Sequence, residues 1–193
     1  MKSAIRQRII TARDAIPEPE RCVLSEAITA RLLALPAYRE AQTVLGYLHF
    51  GGEYHSARWV QQALADGKQV ILPRVDSGTR ELALHRVTDL RTQIAPGKWN
   101  IPEPLANCPR FDTVDTLDFI LLPGVAFTRY GARLGYGGGF YDKLLPHLPQ
   151  RAVRAAAAYE MQVVETLPEE ETDQRVAWLV TEHEIIACGD YSR

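Results

Sequence analysis

The chain has 193 residues, 46% of them hydrophobic and 24% charged, with a formal net charge of -2. That length suits one ordinary domain, and the balance is that of a globular protein rather than a nucleic-acid binder working through bulk positive charge. Cys22, Cys108 and Cys188 are odd in number and lack Cys-x-x-Cys spacing, so reduced thiols in a cytoplasmic protein are expected, without disulfides or zinc.

Ile5, Ile9, Ala12 and Ile16 recur at helical spacing and predict an amphipathic helix over 3–14. The segment from Met1 to Arg13 is basic and lacks acidic residues, as organelle transit peptides are. Its direct run into further helical pattern favours a structural helix. Pro17 and Pro19 open a second helix, whose stripe of Leu24, Ala27, Ile28, Leu32 and Leu35 ends before Pro36. Thr43 to His49 reads as the first strand, and Ser56 to Ala65 as a helix with Ser56 as N-cap and Gly67 as its stop. Gln69 to Leu72 is the next strand, ended by Pro73, and Glu81 to Val87 the third. Residues 88 to 116 hold four prolines and little periodicity, so a long binding loop or lid is expected there. Strands at 117–122, 153–158 and 176–180 complete an α/β pattern, a three-layer sandwich with a mostly parallel central sheet and helices on both faces. No apolar run reaches membrane-spanning length.

The densest signal lies at residues 119 to 142. Phe119 to Leu122 stop at Pro123-Gly124, and Gly131, Gly135, Gly137, Gly138 and Gly139 precede a helix start at Phe140-Tyr141-Asp142. Glycines between a strand and a helix bring backbone N–H groups close to an anion, at the positive end of the helix dipole. Arg133 suits phosphate oxygens, and Asp142 suits the Mg2+ that travels with ATP. The glycine spacing is neither a Walker A motif nor a dinucleotide fingerprint, so a plain structural turn and a phosphate loop fit the glycines about equally. Lys2 and Arg6 share a helix face, with Arg13 roughly aligned two turns on; alone, they read as a solvated basic face. Trp99 fits either stacking on a flat ring or covering the core edge. The five histidines show no metal-ligand spacing, and none is assigned a catalytic role.

Pro-Gly-Val-Ala-Phe at 123–127, followed by Gly131-Ala-Arg133-Leu-Gly135-Tyr-Gly137-Gly138-Gly139-Phe-Tyr141-Asp142, resembles the signature of 5-formyltetrahydrofolate cyclo-ligases. The resemblance runs from Lys2 to Thr181. It implies ATP-dependent closure of 5-formyltetrahydrofolate to 5,10-methenyltetrahydrofolate, with ATP and Mg2+ required. By that match Lys2 and Arg6 contact the ATP phosphates, together with Arg133, Leu134, Gly135, Tyr136, Gly137, Gly138, Gly139, Phe140 and Tyr141, and Arg133 and Tyr141 are the expected catalytic residues. Leu48, Glu53, Trp99 and the loop from Tyr136 to Phe140 are expected to face the folate, whose pterin edge offers N–H donors to a carboxylate. Asp142 and Asp173 are the implied Mg2+ carboxylates. The expected partners are small molecules, without nucleic acid or membrane, and the expected state is a monomer. The pattern departs from the family at Thr128, where Asp is usual, at Thr172, where His is usual, and at Ala156, where Gly is common. Two other classes remain open: a binding paralogue without turnover, and an unrelated α/β sugar-phosphate enzyme.

Overall fold

The computed structural model describes residues 1–170 and 173–189. Helices α1 (Lys2–Asp14), α2 (Glu18–Ala34) and α3 (Pro36–Glu40) precede strand β1 (Thr43–Leu45), followed by α4 (Ala57–Ala65), β2 (Gln69–Asp76) and β3 (Glu81–Val87). A short helix α5 (Leu90–Gln93) leads into β4 (Ile94–Pro96) and β5 (Pro102–Pro104), and then β6 (Phe119–Leu122). The small strands β7 (Ala126–Phe127) and β8 (Arg133–Leu134) are followed by α6 (Phe140–Leu144), β9 (Val153–Ala157), β10 (Trp178–Val180) and β11 (Ile185–Ala187).

Among the described residues seven strands join in the order β11-β10-β9-β6-β1-β2-β3. The five inner strands run parallel, and β3 and β11 are antiparallel edges. Parallel strands buried on both faces need apolar side chains at every position, which is why Phe119 to Leu122 carry no polar residue. Phe119 and Leu121 face one way, with Ile28, Leu32, Tyr38 and Trp59 from α2, α3 and α4. Ile120 and Leu122 face the other, against Phe127, Leu145 and Leu148. The second face is thus covered by α6, short turns and a hairpin rather than by long helices.

Strand β1 stops at Leu45, short of the expected His49, and β2 runs beyond its expected end. Strand β2 passes through Pro73 as far as Asp76. β1 accompanies it only to Ile71, so beyond that point β2 has β3 alone as a partner and the missing N–H of Pro73 breaks no ladder. The final hairpin partner β11 was not foreseen; its three-residue run is too short for periodicity to register. Ser56 does precede α4, but its hydroxyl donates to the carbonyl of Tyr47 at 2.7 Å instead of capping the helix. The proline-rich stretch is an ordered ribbon, with β4 and β5 paired antiparallel.

Residues 123–134 form a small hairpin between β6 and the glycine loop. Gly131 turns it at φ +87°, where a Cβ would lie 2.3 Å from the carbonyl oxygen of Val176. Thr128, which is buried, accepts the Ala132 N–H on its hydroxyl and closes the same turn. Gly131→Ala is expected to destabilise the protein by about 1–3 kcal/mol through combined strain and clash, seen as a lower denaturation midpoint in urea. An unchanged midpoint would remove the hairpin as the brace of the glycine loop.

Candidate active site

The glycine loop leaves β8 at Leu134, which is buried with Ile9, Val125 and Ala126 beneath α1. Packing on that side anchors the loop while its other side stays open. Gly137 and Gly139 have φ of +93° and +71°, backbone that other residues rarely adopt. Arg6, one turn into α1, donates its Nε to the carbonyl oxygen of Gly135 at 2.7 Å. A Cβ on Gly137 would come within 3.3 Å of the Arg6 guanidinium carbon, so the glycine lets that cation lie directly against the loop.

Arg133 projects from β8 with only 5% of its side chain exposed. It donates to the Pro123 carbonyl at 3.3 Å and to Asp142 Oδ1 at 2.8 Å, and its Cζ lies 5.9 Å from the centre of the Tyr141 ring. Its Nε is buried and has no hydrogen-bond partner among the described residues. A buried guanidinium with an unused donor is suited to accept a further anion. Burial raises the Tyr141 hydroxyl above its usual range, so this phenol stays protonated as a donor.

The other half of the site is built at the end of β1. Glu53, only 3% exposed, accepts the Phe50 N–H at 3.1 Å on one oxygen and the Tyr136 hydroxyl at 2.6 Å on the other. Arg13, 2% exposed, donates to the same Tyr136 oxygen at 2.8 Å. Arg13, Tyr136 and Glu53 therefore form one hydrogen-bonded chain joining α1, the glycine loop and the loop after β1. Burial raises the Glu53 carboxyl above its ordinary value, while the Tyr136 bond and the Arg13 charge pull it down. Phe50 packs on the Tyr136 ring at 5.0 Å between centroids.

Glu53, Phe50, Arg133, Tyr136 and Tyr141 line one cleft of about 470 Å3 at the carboxyl ends of the parallel strands, where open α/β sheets bind ligands, while Arg6 and Arg13 stand behind the loop, outside its wall. Leu48, Glu53, Trp99, Arg133, Gly135 to Gly139, Phe140, Tyr141 and Asp142 all contribute to its wall. Trp99 holds φ +55° in the ribbon turn, is largely exposed, and meets Phe140 edge to face at 5.9 Å. Glu103, which sequence reasoning did not single out, is buried in the same wall and accepts backbone N–H groups of Val75 and Lys98. Arg13 was read only as part of a basic face; its alignment with Arg6 was the available signal.

Lys2 and Asp173 stand together outside the cleft wall, Nζ to Oδ2 at 3.5 Å, with Glu170 closer at 2.9 Å. The two expected metal carboxylates thus sit in separate ion pairs, Asp142 with Arg133 and Asp173 with Lys2. Thr172 lies outside the described residues.

The model of the 5-formyltetrahydrofolate cyclo-ligase family matches residues 1–182. The chain belongs to that family. A 5-formyltetrahydrofolate cyclo-ligase of Escherichia coli K12 is 32% identical over 178 residues, covering 92% of this chain and 96% of the relative. The structure of Aquifex aeolicus 5,10-methenyltetrahydrofolate synthetase superposes with a TM-score of 0.85 at 33% identity, over 100% of this chain and 95% of that one. A Mycoplasma pneumoniae 5,10-methenyltetrahydrofolate synthetase shares the fold at 22% identity and a TM-score of 0.74, over 94% and 98% of the two chains. Cyclo-ligases are ring-closing enzymes by name. Among the described residues of this family member, no helix is long and apolar enough to cross a membrane.

Removing the central hydroxyl tests the chain of three. Tyr136→Phe leaves Arg13 Nη1 and Glu53 Oε1 without this partner and is expected to cost about 1–3 kcal/mol. The Glu53 carboxyl should rise further, because the Tyr136 bond is the foremost influence holding it down. A carboxyl raised by folding stabilises the folded state below its unfolded value and loses that contribution as pH climbs through the folded value. The variant's deficit should therefore grow from mildly acid toward neutral pH in urea titrations. A deficit that shrinks over that range would contradict the assignment.

Proposed function

We propose that this protein converts 5-formyltetrahydrofolate and ATP to 5,10-methenyltetrahydrofolate, ADP and phosphate. The observation that carries the reading is one cleft with two unlike ends. One end is a glycine loop overlain by Arg6 and bordered by Arg133, and the other an apolar wall closing on the buried carboxylate of Glu53. Membership of the cyclo-ligase family and the names of its relatives supply the substrate class.

An amide oxygen is a weak nucleophile and a poor leaving group, so ring closure needs activation. The formyl oxygen attacks the γ-phosphorus, ADP leaves, N10 adds to the activated carbon and loses its proton, and phosphate departs. No bond to the protein forms, which makes the catalyst's task positioning and charge stabilisation. Backbone N–H groups of Gly135 to Gly139 and the side chains of Arg6 and Arg133 receive the phosphates, with Lys2 adding charge from the start of α1. The unpartnered Nε of Arg133 is suited to meet the oxygen on which charge develops. Tyr141, protonated, donates beside it. Leu48, Trp99 and Phe140 present flat or apolar surface to the folate rings, and Glu53 accepts from the pterin N–H edge.

The donor set fits Mg2+. Asp142 is about half exposed at the cleft and gives only Oδ1 to Arg133, so hard carboxylate oxygen remains on offer. Asp142 would hold the ion, which neutralises phosphate charge when bound; Asp173, paired with Lys2 outside the cleft wall, would join it as a second carboxylate only on leaving that pair.

The test mixes purified protein, 5-formyltetrahydrofolate and Mg-ATP and follows methenyl absorbance. ATP-dependent product is expected; ligand binding without product would identify a binding protein of the same fold and contradict the enzyme reading. Arg133→Ala should lower kcat on the order of a hundredfold with the circular dichroism spectrum retained. Near-normal kcat in that variant would remove Arg133 from the reaction. Arg6→Ala should instead act chiefly through a raised KM for ATP; a KM left unchanged would free α1 of a role in phosphate binding.

A further inference from the structure

On the far side of the loop after β1, the fold assembles a second set of donors that neighbouring positions in the sequence do not reveal. Glu18 and Cys22 are four residues apart in the first turns of α2, so both point to one side of that helix. His55 arrives from the loop before α4. Its Nδ1 lies 3.8 Å from Cys22 Sγ, and its Nε2 lies 3.5 Å from Glu18 Oε1. One donor atom from each of the three residues falls within 4.8 Å of the others. The His49 ring stacks on His55 at 4.8 Å and 30°, which restrains the imidazole plane.

The geometry points to a binding site for a single zinc-like transition-metal ion held by Cys22, His55 and Glu18. Thiolate, imidazole and carboxylate together are the donors of tetrahedral Zn2+ rather than of Mg2+ or Ca2+. Bond lengths near 2.3 Å to sulfur and near 2.0–2.2 Å to nitrogen and oxygen put ligand atoms about 3.3–3.7 Å apart in a tetrahedron. With Nδ1 as the ligating nitrogen of His55, its 3.8 Å separation from Cys22 Sγ lies just beyond that range, and the exposed Glu18 carboxylate would turn from its present place beside Nε2 to complete the site. Arg21 pairs with the other oxygen of Glu18 and donates to the Ile16 carbonyl, so it orients the carboxylate outward from α2. Arg21, Arg58 and the positive end of α2 oppose a cation, and two anionic donors offset them. On binding, the Cys22 thiol releases its proton to solvent and the three-ligand centre keeps one position for water.

The ion would pin α2 to the segment that carries Glu53. That link already exists in hydrogen bonds: the His55 N–H donates to Ser25 Oγ, Ser25 meets the Tyr159 hydroxyl at 3.0 Å, and Tyr159 donates to the Glu53 carbonyl.

Cobalt(II) added to chelator-treated protein tests the assignment, because a thiolate–cobalt bond produces a near-ultraviolet charge-transfer band that oxygen-only sites lack. One equivalent is expected to give that band with tetrahedral d–d bands, and Zn2+ to displace both. Cys22→Ala should abolish the charge-transfer band, and Glu18→Gln should keep it while weakening cobalt binding at least tenfold; neither residue belongs to the cleft, so ring-closing activity with Mg-ATP and no added cobalt or zinc should be unchanged. Absence of the band in the unmodified protein, or its persistence in Cys22→Ala, overturns the proposal.

Discussion

A carboxylate sealed from water must be met by hydrogen bonds, and at Glu53 that requirement organises the candidate active site. Its two oxygens are satisfied by a backbone N–H from its own loop and by the hydroxyl of Tyr136, which sits eighty-three positions further along the chain. Tyr136 in turn takes a hydrogen bond from Arg13, nearly the last residue of the first helix. Three segments, which the Arg6–Gly135 bond, the packing of Ile9 and the Phe50–Tyr136 contact also bring together, are fixed in one geometry by these two short bonds. In a low-dielectric setting such bonds are costly to leave unmade, so the chain of three acts as a constraint rather than an ornament.

The sheet supplies the platform for that constraint. β1 and β6 are neighbours and parallel, so the loops leaving their carboxyl ends emerge side by side. The loop after β1 brings Leu48 and Glu53; the path after β6 brings the hairpin and then the glycines. The proline-rich ribbon of β4 and β5 adds Trp99 and Glu103 to the remaining wall. Helix α1 then crosses the glycine loop, its Ile9 buried against Val125, Ala126 and Leu134 while Arg6 and Arg13 reach the loop itself. One helix thus has an apolar side for stability and a cationic side for the anion.

Much of this was readable in one dimension because it rests on local rules. The period of Ile5 and Ile9 marked α1, and four apolar residues ending at Pro123 marked the central strand. The glycines at 135–139, flanked by Arg133 and Asp142, carried the chemistry and the family. What escaped rested on distant partners. Pro73 failed to stop β2 because a neighbouring strand, not the proline itself, decides whether its missing N–H matters. Arg13 looked solvated on its helix and is buried because Tyr136 and Glu53 come to it. Histidine and cysteine spacing gave no cluster, yet Cys22 and His55 meet through the packing of α2 against the loop before α4. Lys2 and Asp173, read separately as phosphate and metal groups, are joined to each other across 171 positions.

The central claim is that the Tyr136 hydroxyl clamps α1 over the glycine loop, and amide hydrogen exchange along residues 2–14 tests it most directly. A lost tether of about 1.4 kcal/mol corresponds to a tenfold change in local opening. The account predicts that exchange across α1 is about tenfold or more faster in Tyr136→Phe than in the unaltered protein, with the amides of β6 affected only as far as global stability falls. Equal protection of α1 in the two proteins would contradict it.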